Sequence, residues 1–369
     1  MTTGAITEVR RPGRDAQFVA PDWILFRDEE NGPLYAQRLD MKTLRPRDEP
    51  RVVVGHVLSI PRAFARFAAS RSALLFDAPP TPGTARLVRV DRRSVALDSL
   101  SVPADATTFA LSHSGRMIAF GGFGMWLYDR ERGVSTRLAA ETVRGQATDD
   151  AAWDPGDSLI AYRTAFAGTR SLRLYHLSDG TTDSLATFPV RAPVNPSWSP
   201  DGRRIAFTLR SGDVGTHEEI WIYSLDERRA WRAWEPKSDL ARPVWSPDGR
   251  LFAYQSDETG AQEIYVRPVD GRREAVRVST AGGQAPQWRA DGRAIFYRAP
   301  DGSIMEVSVT RESELRLSTP RIAVAAAPFA TTNRSFAVLG NGEQFVTFAR
   351  GEPPVFTLLL DWQARLRAH

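Results

Sequence analysis

Thr148-Asp149-Asp150-Ala-Ala-Trp153 puts two carboxylates side by side, four and three residues ahead of a tryptophan. Asn195 and Arg242 also stand three residues before a Trp, and the corresponding place before Trp288 is Ala285, flanked by Gln284 and Gln287. A ring of acids, amides and a guanidinium suits a cation or the side chains of a peptide, provided the fold gathers these residues around one opening. Asp149, Asp150, Asn195, Arg242, Gln284 and Gln287 are therefore the candidate ligand-binding residues.

Other chemistry finds little support. The serine-hydrolase elbow Gly-x-Ser-x-Gly does not occur, and neither does His-Glu-x-x-His. The five histidines, at 56, 113, 176, 217 and 369, are scattered, and there is no cysteine to supply a thiolate or a disulfide. No catalytic residue, metal ligand or cofactor is assigned, and the expectation is a protein that is not an enzyme. Asp201, set in Ser199-Pro-Asp-Gly202, reads as a turn residue. Proline presets φ, the acid bonds local backbone, and glycine takes the left-handed position.

The elements that would hold the ring follow from a repeat. Trp198-Ser-Pro-Asp-Gly-Arg-Arg-Ile-Ala-Phe207 has close copies at Trp153–Tyr162, Trp245–Tyr254 and Trp288–Tyr297, each closing on an aromatic nine residues after the Trp. Weaker copies start at Phe67, Leu111 and Val338, with a shortened one at Phe18–Phe26. From Phe67 to Val338 the anchors lie 44, 42, 45, 47, 43 and 50 residues apart. Each copy is strand, tight turn, strand, followed by a third strand such as Glu219–Asp226 or Glu263–Asp270 and a short fourth such as Ala275–Val278.

A repeat of this length made only of short strands is a propeller blade. The expected fold class is thus all-β: a propeller of four-stranded antiparallel blades, eight in number with seven as the alternative, in one domain over residues 1–369. The last repeat has a third strand, Val355–Leu360, but little after it, so Ala5–Val9 within residues 1–14 is expected to close the ring as an outer strand, or else 1–14 is a tail like 367–369. Trp153, Trp198, Trp245 and Trp288, like Glu219 and Glu263, recur at one place in successive repeats, which marks them as scaffold.

Charge adds little. The net charge is +4, and all but two of the 48 basic residues are arginine, spread along the chain among 44 acids. The nearest thing to a basic cluster is Arg86, Arg89, Arg92 and Arg93, too small for a nucleic-acid footprint. No apolar run is long enough for a membrane span, and the N-terminus lacks a basic start followed by an apolar core. The partners expected are a protein or small ligand, with no nucleic acid, no membrane insertion and a monomeric chain.

The Trp-Ser-Pro-Asp-Gly unit followed by an (E/D)-I-Y-V strand resembles the TolB-type propeller repeat. The series Ala16–Arg27, Gln255–Pro268, Gly283–Tyr297 and Thr357–Leu366 is similar to the C-terminal propeller of bacterial eukaryotic-like serine/threonine kinases. This resemblance covers about residues 15 to 366 and implies an extracytoplasmic sensor or interaction module, reached in that family through a kinase domain and a membrane span. The chain has no glycine-rich loop, Val-Ala-Ile-Lys, His-Arg-Asp or Asp-Phe-Gly segment, so only the propeller's role carries over. Turns at Arg71-Ser-Ala and His113-Ser-Gly have drifted from the pattern. The reading is a non-catalytic binding module that uses one face or the channel. The alternatives are a propeller enzyme, a metal-dependent lyase or hydrolase with a channel site, and a TolB-like envelope scaffold.

Overall fold

The structure, a computed structural model, describes residues 14–27, 33–54, 67–77, 86–102, 106–122, 124–138, 147–166, 169–189, 191–211, 217–271, 273–311, 315–325, 336–349 and 356–366. Alternating apolar residues between Gly-, Asp- and Pro-bearing turns make almost every element a strand. The chain forms two compact units, Met1–Thr81 with Glu352–His369, and Pro82–Gly351.

In the first unit, β1 (Arg14–Val19), β2 (Trp23–Arg27), β3 (Leu34–Arg38) and β4 (Arg51–Val54) pair in that order. β5 (Phe67–Ala69) and β6 (Ala73–Asp77) begin a second sheet. The second unit opens with β7 (Arg86–Asp91) and β8 (Ala96–Ser101). Four-stranded sheets follow in series. The first is β9 (Thr108–Leu111), β10 (Met117–Gly122), β11 (Gly124–Asp129) and β12 (Val134–Arg137). Next come β13 (Ala147–Trp153), β14 (Leu159–Phe166), β15 (Thr169–His176) and β16 (Thr182–Phe188), then β17 (Arg191–Trp198), β18 (Arg204–Ser211), β19 (His217–Ser224) and β20 (Arg229–Arg232). β21 (Leu240–Trp245), β22 (Leu251–Ser256), β23 (Glu263–Pro268) and β24 (Val276–Arg277) form another. β25 (Gln284–Trp288), β26 (Ala294–Arg298), β27 (Ile304–Arg311) and β28 (Leu315–Leu317) follow, with β29 (Arg321–Val324) also on β27. β30 (Phe336–Leu339), β31 (Gln344–Phe348), β32 (Phe356–Leu360) and the one-turn α1 (Trp362–Arg365) end the chain.

The all-β expectation holds: the described residues form seven antiparallel sheets, the largest of which joins β9–β12 to β13–β16. Within these sheets, two repeats exchange outer strands. β31 takes β7 and β8 as its third and fourth strands, while β32, expected beside β31, pairs with β6. The exchange satisfies both partners. Leu87 and Val90 of β7 are buried against Val346 and Phe345 of β31, and Leu359 of β32 packs with Leu74 and Phe76 of β6. The second unit is therefore closed by β7 and β8. Ala5–Val9 lies outside the described residues.

Each inner-strand Trp wedges between adjacent sheets, as its recurrence suggested. The indole N–H of Trp153 donates to Ala110 O at 3.0 Å, that of Trp198 to Ala152 O at 3.0 Å, and that of Trp288 to Val244 O at 3.2 Å. Trp245 is equally buried, with the Arg204 guanidinium 4.9 Å from its ring centre. Where β9–β12 meets β13–β16, one residue pair, Gly122 and Thr148, joins the two sheets. A Cβ on the neighbouring Gly121 would lie 2.6 Å from the Asp149 Cα, so no larger residue fits there.

Candidate functional site

β13, β17, β21 and β25 are the innermost strands of four consecutive sheets, and each slips register at the same point. The slip falls between Asp149 and Ala152, Val194 and Ser197, Ala241 and Val244, and Gln284 and Gln287. At each bulge one residue is left-handed: Asp150 at φ 54°, and Asn195, Arg242 and Ala285 at φ 52°. Asp and Asn tolerate that region through local bonding, whereas Arg and Ala carry the steric cost of a Cβ there.

The bulge turns each backbone N–H toward an acceptor. Arg242 N donates to Thr208 Oγ1 at 2.8 Å and Ala285 N to Gln255 Oε1 at 2.8 Å. Asp150 N donates to Thr108 Oγ1 at 3.2 Å, and Asn195 N to Asp150 Oδ2 at 3.3 Å. Proline follows Asn195, Arg242 and Ala285. An inner strand has one free edge, where a residue lacking an N–H forfeits no ladder bond.

β9, β13, β17, β21, β25 and β30 together line a cavity of about 600 Å³. The bulge residues and Thr108 lie three residues before the ends of these strands, while His113, Pro155, Pro200, Pro247 and Ala290 lie in the turns after them. Of the six candidate residues, Asp150, Asn195, Arg242 and Gln287 line the cavity. Asn195 Nδ2 also donates to Asp150 Oδ1 at 3.3 Å, joining two neighbouring sheets across the rim.

Asp149 and Gln284 are not in the lining. Each immediately precedes a bulge residue, and successive residues of a strand face opposite ways. Asp149 accepts two bonds of 2.5 Å from Arg163 Nε and Nη2. Burial and then the Asp150 charge push the Asp149 carboxyl up, against the pull of Arg163. Arg163, Thr108, Thr208 and Gln255 were not singled out from sequence. The readable signal for the bulge was the recurring X-Pro three residues before the Trp.

The remaining candidates are structural. Ser199 and Ser246 donate to Asp201 and Asp248 at 2.5 and 2.6 Å, and Arg289 Nε donates to Asp291 at 2.7 Å. Gly202, Gly249 and Gly292 sit at φ 69–71°, as the turn requires. Glu219 accepts from Arg191 and the Trp221 indole, and Glu263 from Ser279 and Gly282 N. Burial pushes the Glu219 carboxyl up, but Trp221 and the two arginines 191 and 232 outweigh it and hold it below the usual range. His113, His176 and His217 face Asp157, Asp183 and Asp239, while His56 and His369 lie outside the described residues. Asp257 accepts from Asp239 N, and Glu258 N donates to Ser256 Oγ. Arg89, Arg92 and Arg93 are bound to Asp98, Glu306 with Glu343, and Asp91 respectively, so the basic cluster is dispersed among acids. Among the described residues no three of His, Cys, Asp or Glu come together as a metal-ligand group.

The model of the TolB β-propeller domain, PD40, matches residues 148–336, just over half of the chain. The chain belongs to the TolB β-propeller family. Among solved structures, a putative TolB from Agrobacterium tumefaciens is 16% identical with a TM-score of 0.54, covering 73% of this chain and 98% of that one. An oligogalacturonate lyase from Vibrio parahaemolyticus is 12% identical with a TM-score of 0.50, covering 78% and 79%. TolB from Acinetobacter baumannii is 16% identical with a TM-score of 0.46, covering 95% and 82%. Such identities show the shared fold alone. A search of the curated proteins found no match. Among the described residues of this TolB-family chain no helix is long and apolar enough to cross a membrane.

Proposed function

We propose that this TolB-family chain is a non-catalytic recognition module that binds a partner at the bulge end of the channel. One observation carries the reading. The same left-handed bulge recurs in four consecutive inner strands, yet it presents Asp, Asn, Arg and Ala. A scaffold element needs its conformation in every blade, while recognition needs side chains that differ, and this position supplies both. Asp150, Asn195, Arg242 and Gln287 make the contacts, through charge and hydrogen bonds, with no covalent step. The resemblance to kinase-linked propellers favours an extracytoplasmic sensor role.

The test is capture of partners from envelope and soluble fractions by the full chain, beside an Asp150→Ala, Asn195→Ala, Arg242→Gly triple variant. Partners lost by the triple variant at unchanged melting temperature support the proposal. Partners retained in full place recognition elsewhere. Turnover of an acidic oligosaccharide by the wild type, lost in the triple variant, would replace it with the channel-enzyme reading that the lyase fold suggests.

A further inference from the structure

The seams between sheets differ in one respect. Trp153, Trp198, Trp245 and Trp288 are register partners of Ile160, Ile205, Phe252 and Ile295. The equivalent residue on β9 is Leu111, partner of Ile118, and on β30 it is Val338, partner of Phe345. At the Val338 seam the larger partner compensates, because Phe345 meets Phe296 edge to face at 5.3 Å and fills the space. At the Leu111 seam the partner is still isoleucine. A cavity of about 240 Å³ remains there, with a floor of Leu87, Leu100, Leu111, Ile118 and Val346.

We propose that this cavity is a binding site for a small planar aromatic acid, an indole-sized ring carrying a carboxylate. The ring would occupy the place that an indole fills in the four neighbouring seams. Size agrees, since a cavity of about 150 Å³ already admits benzene, and Arg89, Asp98, Ser99, Tyr128 and Arg130 make most of the rest of the lining polar. The charge of the ligand follows from the rim. Arg89 is closed on Asp98 at 2.8 Å and on Gln344 at 3.1 Å. Arg130 is exposed, and the bond described for it runs from Nη1 to Gly115 O at 2.6 Å, with no carboxylate beside it among the described residues. Its outward guanidinium edge is a fork for a carboxylate. The site lies beside the channel, sharing only Leu111 with its lining, and stands whatever binds there.

The probes are indole-3-acetate and indole, titrated into the full chain while the resonances of Leu111 and Ile118 are followed. Saturable shifts with both probes are expected. Arg130→Gln should weaken indole-3-acetate roughly tenfold and leave indole unchanged, the loss of one charge-assisted bond. Leu111→Trp should fill the cavity, raise the melting temperature and abolish binding of both. No saturable shift in the wild type, full binding by Leu111→Trp, or equal effects of Arg130→Gln on both probes would each overturn the proposal. A Leu111→Trp chain that fails to fold would overturn it too, since the seam would then already be full.

Discussion

The two ends of the channel are built by opposite rules. At one end the sequence repeats: Ser199-Pro-Asp-Gly202 and Ser246-Pro-Asp-Gly249 are the same four residues, with the same serine-to-aspartate bond and the same glycine φ. Each glycine packs toward the proline of the preceding turn, Gly202 toward Pro155 and Gly249 toward Pro200. At the other end only the backbone repeats. Asp150, Asn195, Arg242 and Ala285 share a φ of 52–54° and the register slip, while their side chains differ. A chain that keeps residues at one end and varies them at the other separates holding the blades together from meeting a partner.

The comparison can be broken by substitutions on either side of it. The largest loss should come from the frame between the ends. Trp198→Ala removes a buried wedge and should cost about 3–5 kcal/mol in denaturant unfolding. A cost near that of an exposed residue would mean the wedge is not what joins the sheets. At the repeating end, Gly249→Val forces a β-branched residue to φ 71° with its Cβ 3.2 Å from Pro200 Cγ. The expected cost is about 1–3 kcal/mol, and an unchanged melting temperature would refute the turn's role.

Acid should weaken the repeating end as well. Burial pushes the Asp248 carboxyl up, but the Ser246 hydroxyl and the Arg311 guanidinium outweigh it and hold it below the usual carboxylate range. A depressed folded-state value stabilises the fold above the unfolded value of about 3.9 and loses that contribution as pH falls through the folded value. The melting temperature should therefore fall more steeply below about pH 4 in the wild type than in Asp248→Asn. Parallel curves would show that the ionised form matters little. The smallest effect on stability belongs to the varied end. Arg242→Gly relieves a left-handed Cβ and should leave stability unchanged or raised by up to about 1 kcal/mol. A clear destabilisation would make Arg242 part of the frame and remove it from the partner site.

The frame was legible because its causes are local. Proline, aspartate and glycine set a turn within four residues, and strand alternation shows within ten. Four of the candidate rim residues could be found because the repeat fixes their distance from the Trp. The left-handed φ of Asn195 and Arg242 needed the bulge to be seen, since a following proline ordinarily favours an extended residue. Asp149 and Gln284 each immediately precede a bulge residue and lie outside the cavity lining, a facing that spacing from the Trp does not reveal. The strand exchange was illegible for another reason. Leu-Val-Arg-Val in β7 and Leu-Leu-Leu in β32 are equally acceptable third strands, and which partner each takes is settled by packing with sheets far away in sequence.

That exchange has a consequence for how the molecule comes into being. Arg89 and its bonded partner Gln344 are 255 residues apart, so the sheet they share cannot form until nearly the whole second unit has been synthesised. The intervening blades pair mostly with close neighbours and can fold as they emerge, whereas β7 and β8 must wait with their edges unsatisfied. A chain that stops short of Gln344 leaves β7 without β31, the strand it pairs with, and an open strand edge is a template for unwanted pairing.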